Sequence, residues 1–388
     1  SVTPVIPATP AGALADATTA YDNSPHQYVV AGRARSDATT FSGDCSKCHN
    51  DSIVGSFYGA TTTSPDREFG LHYDSMRRIL TALGRTAVDP YAEEQFCYRC
   101  HSPQSAGLKT TAGADWYGTA GIMPNPASEN VYTQFTGAGY TAKHTLTLSN
   151  SAHKPASTDE VTSNRLSTAE HIECTDCHSP HAARNTTVSG TDRANPATAT
   201  SNAIAATSPL TGVWGVQPPV TAAWSEPTPT SYVISPDLVA DYEYQICFKC
   251  HSGFNSSYAP ATRTFSWGSA TGWTNQAFEF NTANASYHPV MGVATRPVAA
   301  ARMLAPWNTN VGNQTMYCSD CHMDNAASPL AQGPHGSANA WILRGTWNPT
   351  IDTIDSTIGS TTFLCRKCHV LTDTHIAHQN SARHRNKP

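Results

Sequence analysis

Cys247-Phe248-Lys249-Cys250-His251 is the stretch on which the reading of this chain turns. Two cysteines stand three positions apart with a histidine directly behind the second. The same frame begins at Cys45, Cys97, Cys174, Cys318 and Cys365. Numbered along the chain, the six motifs absorb all twelve cysteines: Cys45/Cys48, Cys97/Cys100, Cys174/Cys177, Cys247/Cys250, Cys318/Cys321 and Cys365/Cys368. His49, His101, His178, His251, His322 and His369 close them.

Three common uses of such a pair compete: half of a zinc ribbon, a redox dithiol, or a disulfide scaffold. None of them requires the adjacent histidine. With 17 histidines among 388 residues, six adjacent histidines by chance has odds of about one in a hundred million, whereas covalent haem c attachment demands that residue. The two thiols form thioethers with one edge of the porphyrin, and the imidazole behind them ligates the iron from the proximal side. Six covalently bound haem c groups are the expectation, with no thiol left for disulfides.

The sixth ligand of each iron separates a carrier from an enzyme. Eleven histidines lie outside the motifs, while the six methionines follow no matching pattern, so bis-histidine ligation is favoured over His/Met. An internal repeat narrows the choice. Residues 95–102 (QFCYRCHS) match residues 245–252 (QICFKCHS), and Cys174-Thr175-Asp176-Cys177-His178 matches Cys318-Ser319-Asp320-Cys321-His322. Motifs 2 and 3 form one unit and motifs 4 and 5 its copy. His153 and His288 occupy corresponding places in the two units and are distal candidates.

His181 and His335 each follow a unit's second motif. His181 is too close to His178 to reach the far side of the same iron, so it should serve a neighbour. His335 sits in a glycine-flanked turn that lets backbone come close to a porphyrin face. His171 is a further candidate, and His144 a weaker one. For the outer haems, His72 lies on the apolar face of a helix expected over 64–84, and one of His375, His378 and His384 should ligate, with His378 favoured. His26 belongs to a 44-residue arm without cysteine, suited to carrying a ligand to the next molecule or wrapping onto its own haem 1.

Composition fits an unusual interior. Only 39% of residues are hydrophobic, and mean hydropathy is -0.38, which leaves little apolar surface to offset ordering entropy. The expected fold is mostly irregular coil with a few short helices and minimal strand, extended around a row of six haems. Residues 1–44 form the arm; 45–388 form one domain with the duplication inside it. A net charge of -5 argues against nucleic acid as a partner. No apolar run reaches the roughly 18 residues of a membrane span. The start at Ser1 suggests a mature, exported chain. Residues 191–235 read as an irregular excursion or small hairpin, and Asn185, Asn255 and Asn284 begin glycosylation acceptor patterns.

The motifs, with CHSPH at 177–181, YHPV at 287–290 and GPHGS at 333–337, resemble the extracellular multihaem c-type cytochromes, in particular the six-haem members that polymerise into filaments, or nanowires, on metal-respiring microbes. The resemblance implies electron transport through stacked haems, copies of the chain itself as partners, and a histidine that can cross between subunits. It also implies extracellular or cell-surface location, with redox proteins or extracellular acceptors at the ends. A monomeric periplasmic or surface shuttle is the alternative. A multihaem nitrite or hydroxylamine-type oxidoreductase stands further off, since all six motifs are regular and no acid/base cluster marks an open site. The chain is therefore expected not to be an enzyme.

Overall fold

The computed structural model describes Cys97, His101 and residues 131–144, 172, 174–180, 182–183, 202–204, 208–234, 240–254, 264–266, 269–271, 275–325, 333–347 and 362–370. Among these residues, regular structure is sparse. Four helices of a single turn occur: α1 Tyr132–Thr136, α2 Cys174–Cys177, α3 Glu243–Cys247 and α4 Gln276–Glu279. Short 3-10 turns cover Cys318–Asp320, Ala340–Ile342 and Leu364–Lys367, among others. The strands are two or three residues long and pair antiparallel: β1 Ala142–Lys143 with β6 Gly336–Ser337, β2 Val216–Gln217 with β3 Val233–Ile234, and β4 Thr264–Ser266 with β5 Ser269–Thr271. The described chain is thus mostly coil with few helices and little strand, and β2 and β3 make a small ladder within 191–235. The expected helix over 64–84 and the 1–44 arm lie outside the described residues.

Two of the four helices run into motifs: Cys174–Cys177 lies within one and Glu243–Cys247 ends at the first cysteine of another. Gln245 Oε1 accepts the N–H groups of Asp241 and Tyr242 at 2.8 and 3.1 Å, satisfying donors that the first turn of α3 leaves open. Glu243 to Cys247 then make one turn, after which Phe248 and Lys249 plunge inward, 1% and 2% exposed.

An apolar interior made of side chains does exist. Val216, Tyr232, Tyr244, Phe248, Ala277, Val290, Met303, Trp307 and Met316 form one buried cluster, with Cys247, Cys318, Cys321 and Cys368 packed at its margin. The low hydrophobic fraction understated it, because a few large aromatic and sulfur-bearing residues supply most of the burial. Buried asparagines tie the coil together: Asn202 Nδ2 donates to the carbonyls of Val290 and Met316. Asn284 is spent likewise, donating to the Phe278 carbonyl at 2.8 Å and accepting from Trp224 N–H at 2.7 Å. At 2% exposure its side chain is buried, so the pattern at 284–286 has the character of a chance match.

Candidate functional site

Five motifs are described at both ends, and they share one backbone device. The histidine N–H donates to the carbonyl of the first cysteine: His101 to Cys97 at 3.0 Å, His178 to Cys174 at 2.8 Å, His251 to Cys247 at 2.8 Å, His322 to Cys318 at 2.9 Å, and His369 to Cys365 at 2.8 Å. That bond closes a single helical turn. Positions i, i+3 and i+4 then share a side, so both thiols and the imidazole of each motif can address one planar group.

The described cysteines are unbonded thiols. Burial pushes Cys177 and Cys321 up to about 12 and Cys365 to about 11. Cys247 is held well above the ordinary thiol value, first by the Cys318 thiol within hydrogen-bonding reach and then by burial. These are not the depressed values of a redox dithiol. A zinc ribbon would gather four ligands about one ion; among the described residues, the one cluster of three potential ligands is Glu243, Cys247 and Cys318.

Three of the motif histidines face a histidine from elsewhere in the chain. Ring centres are 6.1 Å apart for His178 and His335, 6.1 Å for His251 and His144, and 6.5 Å for His369 and His288. Metal–imidazole bonds of roughly 2.0–2.1 Å on opposite sides of one ion put ring centres roughly 6.3 Å apart. The three separations bracket that value, so the donor set fits a bis-histidine iron.

The orientation of the rings is fixed from behind. Nδ1 of His144 donates to the Pro334 carbonyl at 2.7 Å, that of His178 to the Pro209 carbonyl at 3.0 Å, and that of His322 to the Trp341 carbonyl at 2.8 Å. A carbonyl only accepts, so Nδ1 carries the proton and Nε2 is left with its lone pair, the arrangement of ligating histidines. His335 Nδ1 meets Gln134 Oε1 at 2.9 Å, while Gln134 Nε2 donates to Asp324 at 2.6 Å, with Tyr140 on the same carboxylate oxygen at 3.2 Å. Burial lowers His144, and lowers His251 to about 3, with His144 and His322 adding to the last. His288 and His322 keep accessible faces, yet loss of hydration in the protein massed around them lowers both. The downward shifts of His144, His251, His288 and His322 favour the neutral imidazole, the form that binds metal.

His144 and His335 are neighbours on one strand pair. Lys143 is opposite Gly336, and the His144 N–H donates to the His335 carbonyl at 3.3 Å. Gly333, at φ +132°, stacks its backbone over the His335 ring, where a Cβ would come 3.1 Å from Cε1.

Of the candidate ligands named from sequence, His288 and His335 are brought to motif histidines. His26, His72, His153, His171, His181 and His378 lie outside the described residues, as do Cys45, Cys48, His49 and Cys100. His144, the weaker candidate, also faces a motif histidine, His251. Its signal was a spacing: it stands 30 residues ahead of Cys174, as His288 stands 30 ahead of Cys318.

The motifs also touch one another in sequence order. Lys249, between the cysteines of motif 4, sends Nζ to the Asp176 carbonyl of motif 3 at 2.5 Å and lies 4.4 Å over the Trp214 ring. Glu243 accepts from Ser319 of motif 5. Arg344 donates to the Cys321 and Asp320 carbonyls at 2.9 and 3.2 Å, and Thr346, two residues on, accepts from Leu364 N–H beside motif 6 at 3.0 Å. No helix among the described residues is long and apolar enough to cross a membrane. No protein-family model, curated protein or solved structure matches the chain.

Proposed function

We propose that the chain is an electron conduit that binds six haem c groups through its six motifs and hands electrons along them without transforming a substrate. The observation that carries the reading is the pairing of motif histidines with non-motif histidines at a separation suited to one shared metal ion. Haem c, when bound, supplies an iron that takes up and releases one electron.

The chain's own residues do the rest. Cysteine pairs at the ends of single turns tether; His178, His251 and His369 ligate from the motif side, and His335, His144 and His288 from the other. The carbonyls of Pro209 and Pro334 and the Gln134 amide orient the His178, His144 and His335 rings, and the Trp341 carbonyl orients His322 of motif 5. With two imidazoles on an iron, small molecules have no open coordination position, which favours transfer over catalysis. Contacts from motif 3 to motif 4, from Glu243 ahead of motif 4 to motif 5, and from motif 5 through residues 344–346 to Leu364 ahead of motif 6 support a row of successive attachments, as passing electrons along it would need.

The decisive experiment combines intact mass, pyridine haemochrome and EPR on the purified full chain. Six haems, no alkylatable thiol after denaturation and low-spin ferric signals are expected; free thiols with bound zinc would defeat the reading. The finer proposal, resting on the resemblance of the motifs, is that copies join end to end as an extracellular filament with an acceptor outside the cell. Electron microscopy across a concentration series tests it, and uniform single particles throughout would favour the monomeric shuttle, periplasmic or at the surface.

A further inference from the structure

Glu243 is a buried acid that the tethering and ligating roles leave unused. It opens α3 four residues ahead of Cys247, so one helical turn sets its side chain beside that thiol. Only 5% of it is exposed. Ser319, itself 2% exposed, donates its N–H to Oε1 at 2.7 Å and its hydroxyl to Oε2 at 2.9 Å. One N–H and one O–H aimed at two oxygens is an arrangement that a carboxylate completes. One of those oxygens and the Sγ atoms of Cys247 and Cys318 lie within 4.8 Å of one another. The carboxylate therefore occupies the junction between the first attachment points of motifs 4 and 5.

We propose that Glu243 is a redox-tuning residue, whose fixed negative charge holds the haems attached at motifs 4 and 5 at lower reduction potential than their ligation alone would give. Reduction adds an electron to each centre, and an anion placed nearby in a poorly screened interior opposes that addition. Lys249 stands on the other side of motif 4, toward motif 3. The two buried charges therefore divide the row, with the negative one at the 4–5 junction.

The inference rests on the haem reading, and haem count per chain, measured first, separates failure of that reading from failure of this one. Spectroelectrochemical titration of the fully loaded wild type and Glu243→Gln is the test. Glutamine keeps an acceptor for the Ser319 N–H, and the Ser319 hydroxyl can turn to accept from its Nε2, so charge is the main change. Two of the six one-electron transitions are expected to move to more positive potential while four stay and the melting temperature holds. Six superimposable transitions, with or without a lower melting temperature, would reduce Glu243 to a clamp, and a uniform shift of all six would equally overturn the assignment. Ser319→Ala loosens the contact but keeps the charge. Its potentials should stay at or below wild type, and an upward shift matching that of E243Q would count against the proposal.

Discussion

Gly336→Ala is the most exacting perturbation of the proposed ligand set. Gly336 pairs with Lys143 across β6 and β1, and a Cβ there would lie 2.4 Å from the Gln134 carbonyl oxygen, 3.2 Å from its carbonyl carbon and 3.3 Å from the Lys143 Cβ. The nearest obstacle is α1 backbone, which has no rotamer to escape into. An ordinary contact requires the two segments to separate by roughly 1 Å, at a cost of about 1–3 kcal/mol. The His144 and His335 rings ride on this strand pair, and His335 is also held by Gln134. Ligand bonds tolerate only about 0.2 Å of error, so the displacement should release one or both rings from iron. Cysteine attachment is untouched, so the haem count should remain six while up to two irons become high-spin by EPR and absorption. Gly139→Ala is the control, because a Cβ there meets nothing within 4 Å. A Gly336→Ala spectrum indistinguishable from that of the control would refute the reasoning.

Other perturbations have separate readouts. His144→Ala should convert one haem to high spin or to a weak replacement ligand, visible as a single new EPR species; an unchanged spectrum would remove His144 from the ligand set. Burial raises Tyr244 to about 12. Its protonated form is therefore favoured by folding: the contribution is fully present below about pH 10 and lost as pH rises toward 12, on the order of 2–3 kcal/mol. Chemical denaturation across that window should show the decline, and Tyr244→Phe should flatten it while losing about 1 kcal/mol at neutral pH with the Gln217 hydrogen bond. Asn202→Ala strands the buried carbonyls of Val290 and Met316. It should cost about 1–3 kcal/mol by the same assay, with haem content unchanged.

How much of this was legible in the sequence depended on whether the information was local. The motif turn is local: five residues carry the thiols, the imidazole and the backbone bond that aligns them. Ring pairing is not, since His335 meets His178 across 157 positions and nothing in either neighbourhood names the other. His144 was passed over because His153 shares a local frame with His288, whereas the spacing to the following motif favours His144. The side-chain interior was missed for another reason. Tyr232, Phe248, Trp307 and Met316 come from separate irregular segments, so no helical or strand period announces them.

The duplication gives these placements a rule and a last test. His144 precedes motif 3 and faces motif 4; His288 precedes motif 5 and faces motif 6. Each copy thus sets a ring against the motif after the one it precedes, and it does so at the same 30-residue spacing. The tuning acid follows the same logic. Glu93 stands four residues before Cys97 as Glu243 does before Cys247, and Thr175 follows Cys174 as Ser319 follows Cys318. Both hydroxyl residues can donate to a carboxylate through backbone and side chain. If junction charge is a property of the unit, Glu93→Gln should raise the potentials of the haems at motifs 2 and 3, leave those at 4 and 5 where wild type has them, and add to the effect of Glu243→Gln in the double variant. A Glu93→Gln titration that overlays wild type, beside a shifted Glu243→Gln, would confine the device to the second copy.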